Sequence, residues 1–381
     1  MDFNLKEEQQ QFADALKRWI DRDYGFEQRM RIVQSESGVS DAAWNTLVEL
    51  GMTALPVPEQ QGGFSGSAVD MYVVMKELGR GLVVEPYFAT VLGAEFLKRG
   101  GAHPALLEQV AAGELKLACA LHERQSRHDL TYIATTATPE GDGFVIDGAK
   151  SVVVHGAEAD SLIVSARSAG NGRDNAGISL FVVPADAAGV TVTGFRSLDG
   201  LRAANIVFDK VKLDGAALIG AAGEGYEILD ACADYGAALL CAEALGAMEA
   251  LFDATLDYLK TRQQFGAPIG KFQALQHRMA DMFIHLEQAR SMALLAAVKA
   301  GSDDAEERRT AVSAAKYRIG EAARFIGQQA VQLHGGMGVT NELLAAHHFK
   351  RLATIELSFG DGDHHLRRFM AQPAFTGMEA A

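Results

Sequence analysis

The sequence predicts an α+β protein of several domains: a helical N-terminal domain, a middle antiparallel β-barrel or sandwich, and a C-terminal helical bundle. Three observations predict it. Helical periodicity dominates residues 1–115, short β-branched runs separated by turn residues fill 116–220, and long Ala-rich helical stretches occupy 221–381. The first and last zones lack the strand–helix alternation and the G-x-G-x-x-G turn of a Rossmann domain.

In the first zone, NLKEEQQQFADALKRWI offers Asn4 as N-cap and Glu7 three residues on, with Phe12, Leu16, Trp19 and Ile20 on one face. SDAAWNTLVELG repeats the pattern through Trp44, Leu47 and Val48 and stops at Gly51. PEQQGGFSG (58–66) reads as a loop, and helical periodicity resumes over 69–82 and 102–112. In the middle zone LACAL, TYIATTA, GFVIDGAKSVVVHG, SLIVSA, ISLFVV, VTVTG and NIVFDKVKL read as strands. EGDGF is a tight turn between two of them, and SAGNGRDNAG (168–177) is a polar loop. In the last zone one long helix follows Glu224 and others run over 272–300 and 304–333, their small residues suiting the close approach of a bundle.

With 381 residues, 48% of them hydrophobic and 22% charged, the chain has the make-up of a globular protein with a substantial core. Lys+Arg of 35 against Asp+Glu of 49 gives −14, which argues against nucleic acid or an anionic membrane as partner and still leaves room for a local phosphate pocket. No signal peptide is visible, and no uninterrupted apolar stretch approaches about 20 residues, so no membrane span is expected. Cys119, Cys232 and Cys241 are odd in number and lack metal-ligand spacing, so a reducing, cytoplasmic compartment and no metal are expected.

Four motifs carry chemistry, each beside an ordinary reading. In TRQQFGAPIGKFQALQHRMADM (261–282), Arg262 either complements a helix C-terminus or clamps a phosphate. AVQLHGGMGVTNE (330–342) is either a helix C-cap and turn or bare backbone that a phosphate or ribose approaches closely. In LSFGDGDHHLRRF (357–369), Asp361 between two glycines is either the N-cap of a last helix or a catalytic carboxylate. Adjacent His364 and His365 point apart on a helix and share no metal. Glu243 in LLCAEALGAM is either an exposed charge or, facing inward, a base of raised pKa, whereas Glu249 reads as surface.

In order and spacing, PEQQGGFSG, TRQQFGAPIGKFQALQHRMADM, AVQLHGGMGVTNE and the final carboxylate turn resemble the acyl-CoA dehydrogenase family over essentially the whole chain. ERQSRHDL, DGAKSVVVHG, LCAEALGAMEAL and FGDGDHHLRR look most similar to the small subunit of pimeloyl-CoA dehydrogenase-type enzymes. The resemblance implies an N-terminal α domain (1–115), a middle β domain (116–220) and a C-terminal four-helix bundle (221–381), with FAD as cofactor. By position, Arg262 and Phe265 match the family's contacts to a partner's pyrophosphate and adenine side. Gln332, Gly335 and Gly336 match its ADP-binding loop, Gln273 falls near the same site, and His122 and Val154 fall where the family faces the flavin ring. The implied reaction is α,β-desaturation of an acyl-CoA thioester: a carboxylate takes the α-proton and the β-hydrogen leaves as hydride. The implied partners are an electron-transfer flavoprotein and further subunits, in a homo- or hetero-oligomer built as a dimer of dimers. The implied acyl group is medium-chain or dicarboxylic, and Arg124, Arg127 and His128 read either as its anion contacts or as solvated surface.

Several positions depart from the family. Asp361 followed by Gly362 stands where the family has Glu–Gly. Being one methylene shorter, its carboxylate retreats by about 1.5 Å, and a misplacement near 1 Å costs on the order of 100-fold in rate. The family's alternative Glu position falls at Gly236, with Glu243 seven residues on along the same face as second candidate for the base. HERQSRHD replaces the family's Thr-Glu-Pro-Gly-x-Gly-Ser-Asp run. VVV (152–154) replaces Trp-Ile-Thr, so Val154 offers no hydroxyl and Val152 no aromatic wall. These departures suit two other readings: a weakly catalytic or non-catalytic partner subunit of a heteromeric acyl-CoA dehydrogenase, and a nitroalkane oxidase-like flavin oxidase.

Overall fold

The structure, a computed structural model, describes residues 5–101 and 103–376. Asn4 and residue 102 lie outside the described residues. The first helix, α1 (Glu7–Asp23), starts after Lys6, whose backbone N–H donates to Gln9 Oε1 at 2.9 Å. There follow α2 (Phe26–Gln34), α3 (Asp41–Glu49), α4 (Ala68–Gly81), α5 (Tyr87–Gly100) and α6 (Pro104–Ala111). The strands are β1 (Leu117–Ala120), β2 (Thr136–Glu140), β3 (Gly143–Val154), β4 (Ser161–Arg167), β5 (Ile178–Pro184), β6 (Val190–Arg196), β7 (Arg202–Leu213) and β8 (Leu218–Ile219). Then come α7 (Tyr226–Thr261), a small hairpin of β9 (Gln263–Gln264) and β10 (Ala267–Pro268), α8 (Gln273–Ala300), α9 (Ala305–His334), α10 (Leu344–Leu357) and α11 (Gly362–Met370).

Most boundaries follow local chemistry. Ser40 caps α3 by accepting the Ala43 N–H, and Asp304 caps α9 by accepting those of Glu306 and Glu307. Helix α5 carries no polar stripe, because nearly every side chain from Tyr87 to Leu97 is buried; periodicity cannot mark such a helix. TYIATTA becomes strand only from Thr136. Its first half is tied into a turn, where the Thr131 carbonyl accepts the Ile133 N–H and the Arg167 guanidinium.

The chain divides into two compact units. One holds the described residues up to Met30, Ala68–Val83 and those from Asp234 on; the other holds Arg31–Ser67 and Val84–Ala233. In the second unit the sheet runs β6-β7-β3-β2-β4-β5-β8, with β1 also paired to β4. It is antiparallel apart from the β1–β4 and β2–β4 pairings. Its core gathers Ile146, Leu162, Val164, Phe181, Val183, Ile206 and Phe208, and α5 lies on β1, where a Cβ at Gly93 would meet Leu117 at 2.7 Å.

In the first unit α7 is the central helix, buried on all sides from Tyr235 to Met248. It approaches α4 so closely that a Cβ at Gly246 would sit 1.8 Å from the Lys76 carbonyl oxygen. By length and composition α7 passes as a membrane span, yet 83% of its apolar window is buried inside the chain, as for a bundle's core helix. Helices α8, α9, α10 and α11 pack in turn on one another, α9 touching each of the other three.

Candidate active site

Helix α10 ends at Leu357 and α11 begins at Gly362, so Asp361 is the last residue of a four-residue turn. It caps α11: its Oδ1 accepts the His364 N–H at 2.8 Å. The backbone before it is left-handed, with φ of 55° at Phe359 and 111° at Gly360. From α9, Lys316 reaches under this turn and donates from Nζ to the Glu356 carbonyl at 2.9 Å and the Gly360 carbonyl at 2.8 Å. Burial pulls the Lys316 ammonium down to about 8, while Cys241, Glu356 and Asp361 pull the other way. Asp361 lines a pocket of about 260 Å³ with Tyr317, Glu321, Arg324, Glu356 and Leu366. That volume suits a small group rather than a whole cofactor. Arg324 crosses it, donating to Glu356 Oε1 at 2.8 Å.

Glu243, the second candidate, faces inward from α7 and is 5% exposed. Both carboxylate oxygens are engaged by Arg351 of α10, Oε1 by Nε at 2.6 Å and Oε2 by Nη2 at 2.7 Å. This is the bidentate pairing in which guanidinium holds a carboxylate most firmly. Glu249 is no simple surface charge either, since it bridges Lys76 at 2.9 Å and Arg290 at 2.6 Å.

Five of the expected cofactor contacts cluster at one end of the helical unit, and the sixth opens α8. Arg262 follows the last residue of α7 and stays exposed at the base of the β9–β10 hairpin. Its N–H donates to Tyr258 and its carbonyl accepts from Ile269. At the hairpin tip Phe265 is 91% exposed, with φ of 54° beside 77° at Gly266. Two successive positive φ values close a two-residue hairpin. They cost glycine nothing, but a phenylalanine there is strained and unburied. Gln273 is the exposed first residue of α8. The end of α9 lies beside the end of α7 through the Tyr258–His334 rings, 4.5 Å apart. There the Gln332 backbone carbonyl accepts the Gly335 N–H, and Gly335 (φ 62°) turns the chain. A Cβ built on Gly335 or on Gly336 would meet nothing within 4 Å. Packing inside the chain therefore does not demand glycine at 336. Solvent-open backbone lets a phosphate approach closely, and a guanidinium fork matches one.

In the β unit, His122 follows β1 and its carbonyl accepts the Ser151 N–H at 2.9 Å. Burial, with Lys150 and His128 nearby, holds its imidazole down to about 4, so it is neutral at pH 7. Val154 ends β3 opposite Ala203. Just before it the β3–β7 register shifts between Lys150 and Val153. In that bulge Val152 has φ of 54° and is 59% exposed. A β-branched residue at positive φ is a backbone outlier, and such strain gathers at functional sites.

Beneath this surface lies a buried pair that the motif reading did not single out. Glu123 accepts Lys150 Nζ at 2.9 Å and the N–H groups of Ala134 and Thr135 at 2.8 and 3.1 Å. Burial alone would raise the Glu123 carboxyl, but Lys150 and these donors hold it down to about 2. Burial lowers Lys150 to about 8 against the pull of Glu123. The pair staples both ends of the HERQSRHDLTYIAT segment. The available signal was one lysine amid the β-branched run of DGAKSVVV. Among the described residues no His, Cys, Asp or Glu side chains group as metal ligands, and all three cysteines are free thiols.

Known proteins are similar to this chain along its whole length. The models of the acyl-CoA dehydrogenase N-terminal, middle and C-terminal domains match residues 6–113, 118–211 and 223–372. The mitochondrial short-chain specific acyl-CoA dehydrogenase of Bos taurus is 32% identical over 325 residues, covering 83% of this chain and 78% of its own. The crystal structure of the ChsE4–ChsE5 complex from Mycobacterium tuberculosis is similar with a TM-score of 0.88 at 26% identity, covering 98% of this chain and 99% of that one. An FAD complex of PigA is similar with a TM-score of 0.89 at 27% identity, covering 99% of this chain and all (100%) of that one.

Proposed function

The chain belongs to the acyl-CoA dehydrogenase family, and from that premise we propose that it desaturates a medium-chain or dicarboxylic acyl-CoA with Asp361 as the base. It is an FAD-dependent oxidoreductase acting on CH–CH groups. When bound, FAD supplies the hydride acceptor. Arg262 and Phe265 would hold the ADP half of a partner subunit's FAD, with Gln273 and Gln332 near the same site and Gly335 and Gly336 giving the phosphates close access to backbone. His122 and the backbone of Val154 would flank the ring, and His122, neutral at pH 7, would bring no charge to it.

One contrast carries the choice of base. Both Glu243 oxygens are committed to a buried guanidinium, whereas Asp361 lines a polar pocket with its rotamer fixed by the capping bond. A carboxylate so placed takes a proton from carbon only when the thioester brings its α-carbon within reach. Asp361→Asn keeps the cap, because Asn caps a helix as well as Asp does, and removes the base. Anaerobic bleaching of the flavin by acyl-CoA falls by roughly 100-fold or more in that variant with FAD retained, and Glu243→Gln leaves the bleaching rate per flavin unchanged. The reverse pattern transfers the role to Glu243.

A second reading is favoured by the same capping bond and by the hydroxyl missing at Val154. The chain then serves as partner subunit in a heteromeric dehydrogenase, as ChsE4 and ChsE5 form a complex, and lends Arg262 and Gln332 to a neighbour's FAD. The proposal also includes domain boundaries near 115 and 220, assembly as a dimer of dimers, electron transfer to an electron-transfer flavoprotein, and a reducing, cytoplasmic location suited to three free thiols.

A further inference from the structure

A lysine whose side chain is fully buried calls for a reason. Lys316 is 2% exposed, among the largest fully buried side chains of the protein, and a methionine of similar length would fill its place without the cost of desolvating an ammonium. What the ammonium does instead is specific. It leaves its own helix, α9, and bonds two carbonyls that belong to another segment: Glu356, in the last turn of α10, and Gly360, one residue before Asp361. Lysines near the C-terminus of their own helix commonly cap its carbonyls. Lys316 instead spans from a helix carbonyl to a turn carbonyl four residues later, so the two bonds fix the length and twist of the segment between them. Within that segment lie the left-handed Phe359 and Gly360. At Gly360 a Cβ would collide with the rings of His364 and His365, at 2.5 and 2.8 Å. The His365 Nε2 bonds the Phe359 carbonyl at 2.9 Å, so α11 is braced against the same turn. Cys241 of α7, also buried, interacts with the ammonium as well, as do Asp361 and His365.

We infer that Lys316 is the positioning residue of the base turn, its two carbonyl bonds holding Asp361 at the pocket where the thioester's α-carbon must arrive. This rests on Asp361 as base. It goes beyond that reading in assigning the placement of the carboxylate to a side chain on a different helix, 45 residues earlier by sequence number. The short aspartate makes placement critical. A displacement near 1 Å costs on the order of 100-fold.

The test uses the FAD-loaded protein and two readouts. The first is hydrogen exchange by mass spectrometry in Lys316→Met, comparing a peptide over residues 356–365 with peptides from α8. The clamp predicts exchange at least tenfold faster over 356–365 with α8 unchanged. Unchanged exchange there, or loss of protection throughout the bundle, overturns the assignment. Should Lys316→Met fail to fold, Lys316→Gln, whose shorter uncharged amide cannot span both carbonyls, serves in the same comparison. The second readout is anaerobic flavin bleaching by octanoyl-CoA. The limiting rate is expected to fall roughly 10- to 100-fold while the thioester concentration giving half-maximal rate changes less than twofold. Faster exchange with an unchanged limiting rate also overturns the positioning role. Asp361→Asn, run in parallel, separates the two ideas: if it bleaches at the unsubstituted rate, the base reading fails, whatever the exchange of Lys316→Met shows about the clamp.

Discussion

Asp361, Lys316 and the Glu123–Lys150 pair show how single residues acquire roles from what surrounds them. The sequence left two readings of Asp361 open, cap and base, and the structure realises the cap while placing the carboxylate on a pocket. Lys316 was illegible because SAAKYRIG reads like any helix with one outward lysine; only the turn from α10 to α11, 40 residues on, gives the ammonium its acceptors. Glu123 carries a pH prediction. Its carboxyl sits near 2 in the folded chain, below the usual carboxylate value near 4.5. A depressed folded pKa means that its contribution to stability is fully present above about pH 4.5 and is lost as pH falls toward 2. Melting temperatures between pH 2 and 5 should therefore fall less steeply in Glu123→Gln than in the unsubstituted chain, and identical acid slopes would refute the assignment. Lys150 acts in the opposite sense: the cost of its buried charge is present below about pH 8 and is relieved as pH rises from there toward the usual lysine value.

At the scale of elements, the structure separates glycines that packing requires from glycines that it does not. Gly246 lets α7 touch α4, and a Cβ there would lie 1.8 Å from a carbonyl oxygen. Gly246→Ala should cost about 1–3 kcal/mol, the usual range for an overpacked contact, read by denaturant unfolding. Gly336 faces open space, so Gly336→Val should shift unfolding by less than about 0.5 kcal/mol yet lower the FAD retained through gel filtration. Retention equal to that of the unsubstituted chain would remove the glycine loop from the cofactor site. The helices of this region were legible from periodicity, and α9 runs almost as expected from its Asp304 cap. Helix α5 was not, because burial on every face erases the pattern that reveals a helix. The bulge at Val152 was equally hidden. VVV reads as plain strand, and only the pairing with β7 forces the extra residue and the positive φ.

For the whole molecule, the order of helices, strands and helices was written in composition and period, and the family models match along that order. The grouping into two interleaved compact units was not, since contacts between segments as distant as α4 and α7 have no local signature. Nor does the fold by itself choose among the acyl chains the family handles: function resides in the site. With FAD bound, this chain is proposed to desaturate acyl-CoA by itself. The most direct measurement is the visible spectrum of the purified protein titrated anaerobically with pimeloyl-, octanoyl- and butyryl-CoA. A yellow flavin should bleach with the octanoyl or pimeloyl thioester, with the matching enoyl-CoA formed in equal amount. A protein that no thioester bleaches until a second, homologous subunit is added would contradict it and make the chain a partner subunit.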